Sequence, residues 1–233
     1  MIAINKVGAL YLKQMQNFGY NMLILIGFIL APGFAFIFAR FIPIPNAAFF
    51  GLSMGTLINI VFGGANTMCV LIAEEKEKNT LNVLITSTVS AMDFLLSNAL
   101  AALTMTVVMN AIIYLICGVY VVPFPMFMLV TTLSGLASIA LGAAVGLISK
   151  NQLSASSIII PFVMVFMMIP MFATFMPILK NIGDLLFSQQ TINVLNDLAN
   201  GDFFFGRVSV ILANMVVFIV VFVLVYKKVG LEK

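Results

Sequence analysis

Residues 74–78 read Glu74-Glu75-Lys76-Glu77-Lys78, five consecutive charges in a chain with only eleven Lys/Arg and eight Asp/Glu among its 233 residues. Other residues able to do chemistry are scarce. No histidine is present, which removes imidazole metal ligation and histidine as a general base. Cys69 and Cys117 fall near opposite ends of their predicted spans, and a disulfide needs Cα atoms within about 7 Å. They read as small apolar residues. Gly-Lys never occurs as a pair, so the chain has no phosphate-cradling G-x-x-x-x-G-K-[ST] loop. No catalytic set, metal site or resident cofactor is expected. What the charged cluster can do is bind. A charge at the centre of a bilayer costs about 2.5–3.5 kcal/mol, so the cluster is expected in water, where a soluble partner can reach it.

The rest of the chain sets that position. Hydrophobic residues make up 63% of it and charged residues 8%, against about 25% charged in a soluble domain. This is the composition of an all-α integral membrane protein, a single transmembrane domain over 1–233. The net charge of +3 gives no argument for nucleic acid. The first apolar run is too long for a signal peptide and has no A-x-A site after it.

Charges divide the sequence into uncharged stretches, and a helix of about 20 residues crosses a bilayer. Residues 14–39 and 41–73 hold one span each, placed at 20–41 and 48–72 on either side of Pro43-Ile44-Pro45-Asn46. Residues 94–149 are too many for one crossing. The turn Val122-Pro123-Phe124-Pro125 divides them into spans at 94–118 and 127–148. A fifth span falls at 157–178 and a sixth at 208–226. Six spans put both termini on one side. With the N-terminus inside, the inner segments carry Lys6, Lys13, Lys76, Lys78, Lys150, Lys227, Lys228 and Lys233, and the outer segments only Arg40, Lys180 and Arg207. The positive-inside rule then predicts cytoplasmic termini.

Residues 1–19 are too polar to span. Ile4, Val7, Leu10, Tyr11 and Met15 recur at helical spacing, with Lys6 and Lys13 on the other side. This predicts an amphipathic helix lying in the interface. Ser90-Ala91-Met92-Asp93 reads as a capping box opening the third span, which accounts for an aspartate beside Phe94-Leu95-Leu96. Residues 180–207 are expected as an extracellular helical segment, with one or two short helices that rest on or dip into the leaflet. Asn59, Asn66, Asn110 and Asn214 are expected to staple helices by hydrogen bonds. Gly135, Gly142 and Gly146 with Ala137, Ala140, Ala143 and Ala144 form a small-residue face on the fourth span, for close packing or for a dimer seam. Pro161, Pro170 and Pro177 predict kinks in the fifth. No ionisable residue falls in mid-span, which argues against a proton- or sodium-driven carrier.

Leu81, Leu84 and Ile85 share one helical face behind the charges. The segment 74–86 is therefore predicted as a short cytoplasmic amphipathic helix. Its exposed apolar edge suits a groove in a soluble protein. The alternative is that the charges mark the membrane boundary while the leucines rest on lipid.

This region resembles the membrane subunits of ABC-2 type transporters, in which the loop after the second span often reads E-[KR]-E-x-G-T-L-E-x-L, followed by a T-P-x-S-like turn, an acidic residue and an apolar run. Glu75-Lys76-Glu77-Lys78, Thr80-Leu81, Leu84, Ser90 and Asp93 match in register; Asn79, Asn82 and Thr88 depart from it. The resemblance implies a permease in a bacterial cytoplasmic membrane, working with a separate cytosolic ABC ATPase that binds ATP and Mg. It implies a coupling role for Glu74, Glu75, Lys76, Glu77, Lys78, Thr80, Leu81, Leu84 and Ile85, with a second contact at Lys150, Asn151 and Gln152. It also implies a second permease chain, as a homodimer or a pair of related chains, and export of an amphipathic or hydrophobic cargo such as a peptide or toxin. Lipid-linked polysaccharide, a drug or an ion are other cargo classes. A carrier, channel or anchor not coupled to ATP is the rival reading.

Overall fold

The structure is a computed structural model that describes residues 2–78, 90–173 and 175–229. Every regular element among the described residues is helical. In chain order these are α1 (Ile2–Phe18), α2 (Met22–Phe41), α3 (Ala47–Ile58), a π-helical turn (Asn59–Gly64), α4 (Ala65–Glu77), α5 (Ala91–Cys117), α6 (Phe124–Ile148), α7 (Gln152–Phe172), α8 (Pro177–Gly183), α9 (Phe187–Asn200) and α10 (Phe205–Val229). Six helices are long and apolar enough to cross a membrane: α2, the continuous α3–π–α4 rod, α5, α6, α7 and α10.

The second of these is the axis of the bundle. In its most apolar eighteen-residue stretch 89% of residues are buried, against 11% in the last helix. Its 31 residues, at about 1.5 Å each, give a rod well over the roughly 30 Å of a hydrocarbon core. Small residues let neighbours approach it. A side chain at Gly55 would collide with Ala35 of α2, and one at Gly51 would meet the Ala35 carbonyl oxygen at 2.7 Å. On the other flank Gly142 of α6 abuts the backbone of Ala65, and Gly146 that of Cys69. The small-residue face of the fourth span is thus spent inside the chain, with Gly135 turned to Thr106 of α5.

Midway, the π turn interrupts the regular hydrogen-bond ladder, and neighbours take up its polar groups. The Ser138 hydroxyl donates to the Ile60 carbonyl at 2.7 Å. The Asn59 amide donates to the Thr106 carbonyl and to Asn110 Oδ1, both at 2.8 Å. Asn214 bonds the Leu185 carbonyl at 2.9 Å. Of the four asparagines expected to staple helices, Asn59 and Asn110 do so, and Asn214 ties α10 to the turn before α9 instead.

Three boundaries differ from the sequence expectation. The second span does not stop near residue 72 but continues to Glu77. The fifth helix runs from Gln152 to Phe172, because Asn151 caps its start and accepts from the Ser154 N–H at 2.8 Å. Pro177 does not kink that helix but opens α8, where its missing N–H costs nothing. The segment between the last two spans is also not a surface decoration. Helix α9 packs against α3, α6, α7 and α10, with Ser188, Gln189, Gln190 and Thr191 buried. Thr191 shares a 2.6 Å hydrogen bond with Ser134 of α6. Arg207 pairs with Asp197 at 2.8 Å and tethers α9 to the start of α10.

Candidate functional site

Glu74, Glu75, Lys76 and Glu77 form the last turn of α4, with Lys78 as its cap residue. They are not the start of a separate helix over 74–86, and the first two do not lie in water: Glu74 and Glu75 are each only 4% exposed. Thr80, Leu81, Leu84 and Ile85 lie outside the described residues. The charges are tolerated because each meets a partner, without which a buried carboxylate would be strongly destabilising.

Three segments converge on this turn. The first is the polar face of α1 and the residues just after it. Lys13 forms an ion pair with Glu75 at 2.9 Å, and the Gln14 amide donates to the same carboxylate at 3.4 Å. The Asn17 and Asn21 amides donate to Glu74 at 3.1 and 3.0 Å. Lys78, one turn on, pairs with Glu74 from the same helix, and that hydrogen bond holds its ammonium above the usual lysine range.

The second segment is the end of α6. A helix leaves its last carbonyls unpaired and carries partial negative charge there. The Lys76 ammonium caps that end, donating to the carbonyls of Leu147 at 2.6 Å and Ser149 at 2.8 Å. The third is the start of α7, where unpaired N–H groups favour an anion. Here Glu77 accepts from the Gln152 N–H at 3.0 Å. Gln152 also accepts from Asn21 at 3.1 Å, so the three segments are joined to one another as well as to α4. One turn of one helix thus ties off the end of the fourth span, the beginning of the fifth and the N-terminal helix.

The structure brings the first cluster against one of the three residues proposed as a second contact, Gln152, while Lys150 and Asn151 are exposed. Ser90 and Asp93 stand apart from this knot at the start of α5. The Ser90 hydroxyl accepts from the Asp93 N–H at 3.0 Å, and the Asp93 carboxylate accepts from the Ser90 N–H at 3.2 Å. Sequence reasoning missed Gln14, Asn17 and Asn21 as partners of the glutamates. Part of the signal is legible: Lys13 and Asn17 fall at i and i+4 on one face of α1, whereas Gln14 is one step round the helix and Asn21 lies beyond its end, where helical spacing does not reach.

A bundle of six apolar helices with charged groups knotted at one end defines a multi-pass membrane protein. Residues 38–226 match the ABC-2 family transporter proteins, and the chain belongs to that family. It is a family of membrane permeases, transport components whose membership implies a bilayer and an ABC ATPase partner. No curated protein matches the chain.

Proposed function

We propose that this chain is the permease subunit of an ATP-driven exporter, with the charged end of its central helix in the cytoplasm and a separate ABC ATPase docked there. The observation that carries this reading is the knot at Glu74–Lys78. It sits at the end of the most buried helix and is hydrogen-bonded to α1, to the end of α6 and to the start of α7. A load applied to the segment that follows Lys78 therefore pulls on four helices together. The ATPase would bind ATP and Mg and carry out hydrolysis, while this chain supplies the path. Leu81, Leu84 and Ile85 would seat in the ATPase groove, with Lys150 at its edge. Two such chains would face each other across the path, and the cargo would be an amphipathic or hydrophobic peptide or toxin.

The test is co-purification. Replacing Leu81 and Leu84 by Asp is expected to abolish retention of the ATPase, while the permease keeps its thermal unfolding midpoint. Full retention by the double variant would remove the docking role. Failure of any ATPase to accompany the native chain would favour a carrier or anchor that does not use ATP.

A further inference from the structure

At the end of the second span remote from Glu74, a cleft of about 410 Å³ opens between the start of α3, the end of α7 and α9. Its polar side chains are Asn46, Ser53, Gln189, Asn193 and Asn196. None of the residues lining it is charged. Its apolar surface includes Phe49, Phe50, Phe175, Met54 and Met171. A second cleft of about 390 Å³ shares Asn46, Phe49 and Asn196 with it and adds Asn200. The two form one elongated trough.

The amides are ordered along it. Gln189, Asn193, Asn196 and Asn200 fall at i, i+4, i+7 and i+11 of α9, a single helical face with steps of about 6, 4.5 and 6 Å. Gln189 already donates to Asn193 Oδ1 at 2.9 Å, Asn193 to Gln190 Oε1 at 3.4 Å and Asn196 to the Ile192 carbonyl at 3.0 Å, but each amide nitrogen carries a second hydrogen. An extended peptide turns its backbone groups to one side about every 6.8 Å, so the remaining amide hydrogens and oxygens of the row can pair with alternate residues of such a strand. Two polar atoms lack any partner among the described residues: Ser53 Oγ, in a residue 4% exposed, and Gln189 Oε1, in a residue 8% exposed. A buried polar group left unpaired is costly; both atoms are closed to solvent as they stand, and a side-chain rotation that turned them to ligand donors in the trough would relieve both. A charged ligand would lose its hydration with no counter-charge to replace it.

We propose that this trough binds an extended, uncharged, apolar-rich peptide segment. The amide row of α9 and Ser53 pair with the ligand backbone, and Phe49, Phe50 and Phe175 receive its side chains. Calling that segment cargo rests on the permease reading above; the binding itself does not.

The probe is an N-acetylated, C-amidated decapeptide of Leu, Ile, Gly and Asn carrying one benzophenone side chain. It is added to the purified full chain in lipid nanodiscs without any ATPase. Saturable photocrosslinks are expected within 46–54, 170–175 and 189–200. The same peptide with N-methylated backbone amides is expected to bind about tenfold more weakly, since each lost hydrogen bond weakens binding several-fold. A version carrying two lysines is expected to bind more weakly still. Ser53→Ala breaks no hydrogen bond among the described residues, so it tests the ligand contact without a folding penalty; Asn193→Ala also removes bonds to Gln189 and Gln190, and either variant should lower affinity about threefold to tenfold. Unchanged affinity in both variants, equal binding of the N-methylated peptide, or crosslinks spread over lipid-facing helix surfaces would overturn the site. Equally potent displacement by maltoheptaose would overturn the peptide assignment. Addition of the ATPase separates the two readings. Peptide bound in the trough with no ATPase associating sinks the exporter and leaves the site, whereas an ATPase that associates without peptide binding sinks the site alone.

Discussion

The two ends of the α3–π–α4 rod are built on opposite terms. At the charged end the buried carboxylates of Glu74 and Glu75 are met by Lys13, Gln14, Asn17, Asn21 and Lys78, and Lys76 and Glu77 close onto the ends of two further helices. At the other end Ser53, Ser188 and Gln189 keep polar atoms without a partner among the described residues. The charged groups of that knot are all met, and among its neutral groups Gln14 Oε1 alone lacks a partner among the described residues; a polar cluster whose charges are met holds its elements in one arrangement. An end with spare hydrogen-bonding capacity resists rearrangement less and can accept something new. The rod therefore joins a stiff end to a compliant one.

Breaking the stiff end should have the largest effect. Glu74→Ala leaves the Asn17 amide without its acceptor, while Asn21 keeps Gln152 and the half-exposed Lys78 ammonium turns to water. Leaving a buried donor unpaired costs about 1–3 kcal/mol. The variant is expected to lose that order of stability in denaturant unfolding of the detergent-solubilised protein, and limited proteolysis should cut between α1 and α2. A loss under about 1 kcal/mol would mean that the knot is ornamental.

The middle of the rod should respond less. Asn59→Leu removes two 2.8 Å hydrogen bonds, to Thr106 and Asn110 of α5, and strands the already half-satisfied Asn110. Interhelical side-chain bonds inside membranes contribute about 0.6–1.7 kcal/mol. A drop of about 1–2 kcal/mol in the same assay is expected, with α5 amides exchanging hydrogen faster near Thr106. No change in exchange there would detach the π turn from the third span.

Much of this arrangement is readable from residue spacing. Intervals between charges locate all six spans, because a bilayer excludes ionised side chains from long stretches whatever the detailed fold. Ser90 and Asp93 cap α5 by purely local chemistry, so four residues of sequence suffice to recognise it. The burial of Glu74 and Glu75 is not readable that way. It depends on Asn17 and Asn21 arriving from some fifty residues earlier, and a rule that charge implies water ends the second span too soon. The position of α9 is hidden for a different reason. Its apolar face, with Ile192, Val194, Leu195 and Leu198, has the same periodicity whether it rests on lipid or inserts among four helices. Only tertiary contacts distinguish the two.

The smallest effect should come from the compliant end, and it sharpens the contrast most. Ser188 is buried at 1% exposure, yet its hydroxyl has no partner among the described residues. The Ser134 hydroxyl of α6, by contrast, is engaged with Thr191 at 2.6 Å and the Val130 carbonyl at 2.9 Å. Ser188→Ala removes a desolvated group that returns nothing, so its stability should stay within about 0.5 kcal/mol of the native chain or rise slightly. Ser134→Ala leaves Thr191 short of one bond and should lose about 1 kcal/mol. Unfolding midpoints of the two variants, measured side by side, give the comparison. Equal losses would mean that Ser188 is held as firmly as Ser134 and that the remote end is no more compliant than the charged one. A loss confined to Ser134→Ala places the slack at the start of α9, beside Gln189 and the trough that its amide row lines.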